Sequence, residues 1–282
     1  MPFAGAFVTL TSLMLFNQIR KQLPQLRAAA APTATILKVF ALSVPFIVAL
    51  TLPMAVLMAV LRVFTGRQGN REVLALERVG VTPMRFAAVV LAGATLVGAC
   101  ALAWNDQVVP WSNHHLRTLL VEIEHPGSAT PSESETMGDR EMSTGQLRRV
   151  ARSAGEEAQV ARAEGNAVRE NAARQRGAAY AVEIQKKYAV SAACVVFALF
   201  AVGLGLRIRW GGWPLVIGIS WLVFTLQYVG LIGGEELGDR LIVSPFVAMW
   251  TPNLVMAVLG CGLLWSINKS AGTTLARSVP PA

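Results

Sequence analysis

Four polar side chains close together in the chain are the only candidates for a catalytic constellation. Asn105, Asp106, His114 and His115 fall just beyond an apolar run, in the stretch NDQVVPWSNHH. Adjacent residues do not share a helix face, so His114 and His115 make a poor pair of metal ligands. A membrane-embedded enzyme acting on lipid carriers would need these four residues to converge. Structural or surface roles are the simpler interpretation.

The sequence motifs of several enzyme classes are absent. There is no GxxxxGK[ST], so the chain does not hold the phosphates of a nucleotide in the manner of a P-loop, and neither HExxH nor GxSxG occurs. Cys100, Cys194 and Cys261 show no metal-ligand spacing and no disulfide framework, and we expect them to be small core residues. Few ionisable residues lie deep in the apolar runs, which argues against a proton or ion pathway. We predict no cofactor and no metal.

A group of basic residues suits the binding of phosphate groups. Arg20, Lys21, Arg27 and Lys38 flank the facing ends of the first two apolar runs, and no acidic residue lies between them. Four positive charges at the level of the lipid headgroups attract phosphates electrostatically. The alternative is generic anchoring, in which long basic side chains reach from the helix ends to the membrane interface.

The stretch RQGNREVLALERVGVTPMRF, residues 67–86, is polar and lies between two apolar runs. It predicts a short helix over about 70–80. Asn70 suits the N-cap, Glu72 is favourable in the first turn, and Gly80 suits the C-terminal end.

One side of this short helix is apolar. Val73, Leu76 and Val79 recur every three residues, which gives the helix a side that can dock into a groove. The alternative is a helix that lies on the lipid surface, where its two acidic residues would meet anionic headgroups.

These residues are distributed over a chain built largely from apolar runs. Of the 282 residues, 54% are hydrophobic and 15% are charged, whereas about a quarter are charged in a typical soluble domain. No Lys or Arg precedes Arg20, so we expect the first run to be an anchor helix and not a cleaved signal peptide. We predict an all-α membrane protein with six transmembrane helices, because six runs approach the ~20 residues that cross a bilayer. The runs are 3–19, 39–61, 86–104, 188–206, 213–234 and 245–267.

Charge placement predicts the sidedness of the chain. The segments 62–86, 207–212 and 268–282 hold nine basic residues and only two acidic ones, whereas the turn 235–240 is mainly acidic. The positive-inside rule then places both chain ends and the short helix in the cytoplasm. The basic residues at positions 20, 21, 27 and 38 are an exception on the external side.

An external segment, 105–187, separates the third and fourth runs. Its part 124–141 loses all hydrophobic periodicity and predicts a flexible linker. The part from about 143 to 187 is rich in Ala, Arg and Glu and predicts a solvated polar helix. The expected details of this helix are a cap at Ser143 or Thr144, mixed i,i+4 support and repulsion between Arg148, Arg152 and Glu156, and breaks near Gly155, Gly165 and Gly177.

The predicted organisation therefore has four parts. Residues 1–104 hold spans one to three with the short cytoplasmic helix, and 105–187 form the reduced periplasmic segment between spans three and four. Residues 188–268 hold spans four to six, and 269–282 form a cytoplasmic tail. Nothing in the sequence indicates a nucleic-acid partner.

Three ordered blocks resemble the lipopolysaccharide-transport permeases of the LptF/LptG family. They are VPFIVALTLPMAVLMAVLRVFTGRQGNREVLALERVGVTPMRF (44–86), VEIQKKYAVSAACVVFALFAVGLGLRIRWGG (182–212) and GGEELGDRLIVSPFVAMWTPNLVM (233–256). The resemblance implies a permease subunit in the bacterial inner membrane, without catalytic residues of its own. Such a subunit is half of an ABC exporter that extracts lipopolysaccharide, or a related lipid, from the outer leaflet.

The resemblance also implies partners and site residues. The partners would be an LptB-type ATPase dimer, a second LptF/LptG-type permease and an LptC-like periplasmic bridge protein. Arg20 and Lys21 match basic positions that contact lipopolysaccharide phosphates in the family, and the nearby Arg27 and Lys38 complete the expected phosphate-binding group. Glu72 matches an acidic residue that pairs with an ATPase arginine. The expected surface for coupling to the ATPase is Glu72, Val73, Leu76 and Val79.

The external segment departs from the family pattern. Members usually carry a β-jellyroll between spans three and four, whereas here fewer than twenty linker-like residues join the recognisable ends. Eight strands do not fit in that length. Delivery would then depend on a jellyroll of the partner permease, or the cargo differs. The alternative function is a non-transporting scaffold or regulatory subunit derived from such a permease, whose external helix mediates assembly.

Overall fold

The structure, a computed structural model, describes residues 2–28, 32–65, 83–124, 138–208 and 212–277. Its elements are helices, and no strand is found in these ranges. In chain order they are α1 (Pro2–Ala28), α2 (Thr33–Phe64), α3 (Pro83–Ala103), a π-helical segment (Trp104–Val108), α4 (Val109–Glu124), a 3-10 turn (Asp139–Glu141), α5 (Thr144–Ala163), α6 (Ala167–Arg207), α7 (Trp213–Asp239) and α8 (Pro245–Arg277).

Five stretches of helix in the described part of the chain are long and apolar enough to cross a membrane. They confirm five of the six predicted apolar runs as membrane-spanning candidates. The predicted first run lies within α1, which is not among the five. The candidate stretches are Thr33–Phe64, Ala87–Val121, Ala167–Arg207, Trp213–Asp239 and Pro245–Ser266.

Helix α6 is the central element of the bundle. It packs against α2, α3, α7 and α8 and also against α5. Phe197 and Val202 of α6 are buried with Leu57, Leu61 and Phe64 of α2 in the largest apolar cluster. Within a membrane, the close packing of these large side chains stabilises the contact between the two helices through van der Waals attraction.

The close approach of α2 and α6 depends on a glycine. A Cβ atom on Gly205 would lie only 2.5 Å from the Cβ of Phe64, which is far closer than two carbon atoms approach without a shift of the backbone. The absence of a side chain at this position lets Phe64 seat directly against the α6 backbone.

The two prolines of α2 lie within an unbroken helix. Around Pro45, side chains of neighbouring segments reach the α2 backbone. The indole N–H of Trp104 donates to the Pro45 carbonyl at 3.0 Å, and the hydroxyl of Ser112 donates to the Leu42 carbonyl. Two polar side chains thus donate to α2 carbonyls near Pro45, a residue that supplies no backbone N–H of its own.

The polar part of the external segment forms a hairpin of two antiparallel helices, α5 and the N-terminal half of α6. Ser143 caps α5 and forms a capping box with Gln146, which confirms the predicted start. The predicted break near Gly165 is confirmed, because the chain turns there with a φ of 69°. The predicted breaks near Gly155 and Gly177 are wrong, since both residues lie inside helices.

The hairpin is held by small side chains and by ion pairs between its arms. Buried alanines fill the interface, and a Cβ added at Gly177 would lie in ordinary contact with the Cβ of Ala154, at 3.6 Å. Arg176 pairs with Glu157 across the two arms at 2.8 Å. The guanidinium of Arg148 donates to the hydroxyl of Tyr188 on the other arm at 3.0 Å.

The cysteines only partly follow the expectation of small core residues. Cys194 is buried in the main apolar cluster, as predicted. Cys100 and Cys261 lie exposed on helix surfaces, so the prediction was wrong for both. An apolar run alone does not indicate which face of a helix is packed inside the protein.

Candidate functional site

A network of charged residues lies where α6 and α7 meet the 3-10 turn. The Glu235 carboxylate of α7 accepts from the Lys186 ammonium at 2.8 Å and from the Arg140 guanidinium at 3.4 Å. Lys186 also contacts Glu183, one turn earlier in α6, at 3.4 Å. One carboxylate thus ties together three separate elements, and part-buried pairs of this kind are less screened than fully exposed ones.

A second carboxylate ties the 3-10 turn to α4. The side chain of Glu141 is buried, and it contacts Arg117 at 3.4 Å and His114 at 3.5 Å. A buried carboxylate without such partners would be costly. Glu141 therefore fixes the turn against the outer end of α4.

A third group of polar contacts involves Lys187, which is only 6% exposed. The Lys187 ammonium donates to the Met142 carbonyl at 2.6 Å and is attracted by the carboxylate of Asp106. Asp106 in turn accepts from the backbone N–H of Thr144 at 2.6 Å, in the first turn of α5. These contacts join the π-helical segment to α5 and α6. Segments of π-helix are frequent at functional sites.

Two acids of this region, Asp139 and Asp239, lack full compensation by hydrogen bonds or positive charges. Burial raises the pKa of the Asp139 carboxyl, and the positive charge of Arg140 offsets only part of that rise. Within the described residues, the Oδ1 atom of Asp239 is buried and accepts no hydrogen bond. A buried acceptor without a donor is unusual in a folded protein.

Two cavities share this charged region. The outer one has a volume of about 560 Å³ and is lined mainly by charged residues of the 3-10 turn, α6 and α7. The inner one has a volume of about 370 Å³ and lies between α2, α4, α6 and α7. The apolar and aromatic part of its lining is Phe46, Ala49, Leu50, Val109, Val190, Tyr228, Leu231 and Ile232, and the ionisable part is Arg140, Glu183, Lys186, Lys187, Glu235, Glu236 and Asp239.

The inner cavity is therefore amphipathic. Its apolar part has the composition of a ligand site, in which hydrophobic side chains dominate and a few polar groups fix orientation. Its ionisable part carries charges of both signs.

The predicted phosphate-binding residues lie elsewhere. Arg20 and Lys21 are exposed on α1, and Lys38 is exposed on α2. The adjoining ends of α1 and α2 pack with α4 in an apolar cluster around Val39. Arg27 belongs to α1, and its side chain lies outside the described part of the structure.

The expected ATPase-coupling surface cannot be compared with the structure. Glu72, Val73, Leu76 and Val79 lie outside the described residues, between the end of α2 at Phe64 and the start of α3 at Pro83. Their role stays a prediction.

The four candidate catalytic residues do not converge on one point. Asn105 donates to the Ser191 hydroxyl at 3.3 Å, whereas Asp106 accepts from Thr144. His114 faces Glu141, and the ring of His115 lies 4.6 Å from that of Trp111. Each of the four residues thus has a different partner, and the arrangement offers no shared reaction centre.

Sequence reasoning missed the charged network and the buried lysine. A signal for Lys187 exists in the sequence, because Ile184, Lys187, Ser191 and Cys194 follow the spacing of one helix face. The structure buries this face of α6. For the partners Arg140 and Glu235, 95 residues apart, no local pattern could have shown the contact.

Comparison with known proteins supports the assignment of a family. No curated protein matches the chain. The chain does match the family described as "Lipopolysaccharide export system permease LptF/LptG", over residues 1–137 and 125–266. Because these matches cover nearly the whole length, the chain belongs to the LptF/LptG family of lipopolysaccharide export system permeases.

Proposed function

We propose that this chain is a transmembrane permease subunit of an ABC exporter that extracts lipopolysaccharide, or a related lipid, from the outer leaflet of the inner membrane. A separate ATPase supplies the energy. The observation that carries this proposal is the family match over nearly the whole chain. The helical bundle with five candidate spans is consistent with it, and in this proposal α1 forms a sixth span.

In this role, the exposed basic residues at the outer ends of α1 and α2 receive the phosphates of the lipid. Arg20, Lys21 and Lys38 take part in no ion pair within the described residues, and their positive charge is therefore available to a ligand. Phosphate groups are strong acceptors for such cations. Arg27, in the same helix as Arg20, adds a fourth positive charge.

The stretch 70–80 is the proposed contact with an LptB-type ATPase dimer, and a second LptF/LptG-type permease completes the transmembrane part. An LptC-like bridge protein is the proposed acceptor of the lipid. The hairpin of α5 and α6 occupies the position between spans three and four, and delivery depends on a jellyroll of the partner permease.

Reconstitution with the ATPase and a partner permease tests the coupling role of Glu72. Charge reversal in Glu72→Arg should abolish co-purification of the ATPase, because it replaces an attraction to arginine with a repulsion. Glu77→Arg, in the same stretch, is the matched control and should leave the ATPase bound. Retention of the ATPase by Glu72→Arg would count against this assignment.

The phosphate contacts are tested by lipopolysaccharide-stimulated ATP hydrolysis. The double variant Arg20→Ala/Lys21→Ala should lose most of the stimulation and keep the basal rate. Arg152→Ala/Arg162→Ala removes two charges from the exposed hairpin and should leave the stimulation intact. If Arg20→Ala/Lys21→Ala is stimulated like the wild type, the lipid-binding role is wrong.

A second candidate function is a non-transporting scaffold or regulatory subunit. The observation that favours it is the helical hairpin, whose exposed arms carry many charged residues and could mediate assembly. A scaffold would keep lipid-stimulated activity unchanged in Arg20→Ala/Lys21→Ala but lose complex assembly when residues 144–178 are deleted.

A further inference from the structure

We propose that the amphipathic inner cavity binds a zwitterionic phospholipid with a primary ammonium group, such as phosphatidylethanolamine, at the level of the outer leaflet. This site is separate from the basic residues of α1 and α2. It needs only that the bundle spans a membrane with residues 105–187 on the external side, and it does not rest on a transport function.

The depth of the cavity fits a lipid of the outer leaflet. At a rise of 1.5 Å per residue, Glu235 lies about 33 Å along α7 from Trp213, and Lys186 lies about 32 Å along α6 from Arg207. The hydrocarbon core of a bilayer is about 30 Å thick. The charged rim therefore lies at the outer headgroups, whereas Tyr228, about 22 Å along α7, lies among the acyl chains.

The two parts of the lining match the two parts of a phospholipid. Below the rim, residues such as Phe46, Leu50 and Leu231 form an apolar floor that suits an acyl chain. The volume of about 370 Å³ is within the usual range of small-molecule sites, about 300–1,000 Å³, and holds part of one chain.

The charge of the rim selects the headgroup. Three cations, Arg140, Lys186 and Lys187, face four carboxylates, Glu183, Glu235, Glu236 and Asp239. Glu236 is paired with Arg240, so the remaining rim has as many positive as negative charges and offers no excess of positive charge to favour an anionic headgroup. A zwitterionic headgroup brings no net charge and can satisfy both signs.

One donor and one acceptor on the rim are available for such a headgroup. Arg140 is 60% exposed in its side chain and only loosely bound to Glu235, at 3.4 Å, so its other N–H groups can donate to a phosphate. The buried Oδ1 atom of Asp239 accepts no hydrogen bond within the described residues. An ammonium N–H supplies the donor that this atom lacks.

The other charged groups of the rim are already engaged. Lys186 bonds Glu235 and Glu183, Lys187 bonds the Met142 carbonyl, and Glu236 pairs with Arg240 at 2.6 Å. The free combination is thus one guanidinium and one carboxylate oxygen, which corresponds to one phosphate and one ammonium.

Native mass spectrometry of the delipidated full chain tests the proposal. The chain is offered equimolar phosphatidylethanolamine and phosphatidylglycerol with identical acyl chains, and the first bound lipid is identified. We expect the ethanolamine lipid to be preferred by about fivefold to tenfold. This factor lies between the small effect of an exposed ion pair and the larger effect of a buried hydrogen bond to a charged group. Phosphatidylcholine, which has the same net charge but no N–H donor on its headgroup, should compete less well.

Variants assign the binding to this cavity. Asp239→Asn should reduce the preference to near unity, whereas Glu164→Gln, at the exposed hairpin turn, should retain it. Ala49→Phe, which fills the apolar floor, should lower the occupancy of both lipids. Thermal unfolding shows whether each variant is folded. Asp239→Asn tests the contact with the headgroup and Ala49→Phe tests the contact with the acyl chain, so the two variants test the site independently.

Three results would overturn the proposal. They are equal or stronger binding of phosphatidylglycerol to the wild type, an unchanged preference in Asp239→Asn, and displacement of the ethanolamine lipid by an equal amount of lipopolysaccharide. The last result would assign the cavity to the proposed cargo instead. Because the assay uses the permease alone, without ATPase, failure of the transport proposal would not alter its outcome.

Discussion

Substitution of Asp106 by alanine should loosen the external hairpin from the membrane part of the protein. The carboxylate of Asp106 accepts from the backbone N–H of Thr144 at 2.6 Å and attracts the buried ammonium of Lys187. Asp106→Ala removes both interactions at once. The Lys187 ammonium then keeps its hydrogen bond to the Met142 carbonyl but loses the larger of its two compensating negative charges, the other being Glu183.

The expected cost follows from these two losses. A hydrogen bond to a charged group contributes about 1.5–3 kcal/mol, and the attraction between Asp106 and Lys187, which form no direct ion pair, adds a smaller amount. Asp106 is itself only half-buried, so we expect a total of about 3 kcal/mol. At roughly 2–4 °C per kcal/mol, the melting temperature should fall by about 6–12 °C.

A double-mutant cycle separates the two contributions. Lys187→Met removes the ammonium and keeps a long side chain in its place, so Asp106→Ala/Lys187→Met strands no charge. The double variant should recover about 1–2 kcal/mol relative to Asp106→Ala alone, within the usual range of coupling energies. Thermal unfolding and amide hydrogen exchange in the first turn of α5, beginning at Thr144, provide the global and local readouts.

The matched control is Glu164→Ala, which removes an exposed acid paired with Arg169 at the hairpin turn. Exposed ion pairs are worth well under 1 kcal/mol, so its melting temperature should barely change. The reasoning is refuted if Asp106→Ala behaves like this control. It is also refuted if the double variant is no more stable than Asp106→Ala.

Three further predictions concern α7, α8 and the 3-10 turn. Gly234→Ala should lower the melting temperature, since its Cβ would overlap a backbone carbonyl of α8, whereas Gly233→Ala, whose Cβ meets nothing within 4 Å, should be neutral or slightly stabilising. Asn253→Leu should cost about 1 kcal/mol more in thermal unfolding than Gln227→Leu, because Asn253 makes two buried hydrogen bonds of 2.7 Å and Gln227 shares only one of them. Asp139 has a raised pKa in the folded chain because burial disfavours its charged form. Ionisation of this carboxyl therefore lowers the stability of the fold as pH rises from the ordinary pKa of aspartate through the raised one. Asp139→Asn should therefore be more stable than the wild type at pH 8, with the difference vanishing in melting curves below the ordinary pKa of aspartate.

The helices themselves could be predicted from the sequence because their signals are local. The run predicted at 245–267 lies within α8, which begins at Pro245, and the run at 213–234 lies within α7, which begins at Trp213. Ser143 was identified as a candidate cap because capping chemistry involves residues three positions apart. Composition and periodicity suffice for such features.

The breaks expected at Gly155 and Gly177 failed for a physical reason. Glycine costs a helix about 1 kcal/mol relative to alanine, which packing elsewhere can offset. Gly177 faces Ala154 of the other hairpin arm, where an added Cβ would make an ordinary van der Waals contact at 3.6 Å. Only the partner helix shows that this position belongs to a packed interface and not to a break.

The candidate site could not be predicted because its contacts join distant parts of the chain. Glu235 meets Arg140 across 95 residues and Lys186 across 49. In sequence, each of these side chains resembles an ordinary solvated charge. Their convergence follows from the packing of α7 and the 3-10 turn on α6, which no local pattern contains.

The continuity of α6 determines how the hairpin can relate to the membrane part. The sequence predicted a polar helix ending near 187 and a separate span from 188, whereas one helix of 41 residues, about 61 Å long, runs through both. A helix without a break changes its tilt as a unit, so displacement of its membrane half also displaces its external half. Two contacts hold α5, the other arm of the hairpin, in place. Lys187 of α6 donates to the carbonyl of Met142, just before α5, and Asp106 accepts from the backbone N–H of Thr144 in the first turn of α5. The hairpin is therefore a continuous helical extension of the apolar half of α6, unlike a domain suspended on flexible linkers at both ends.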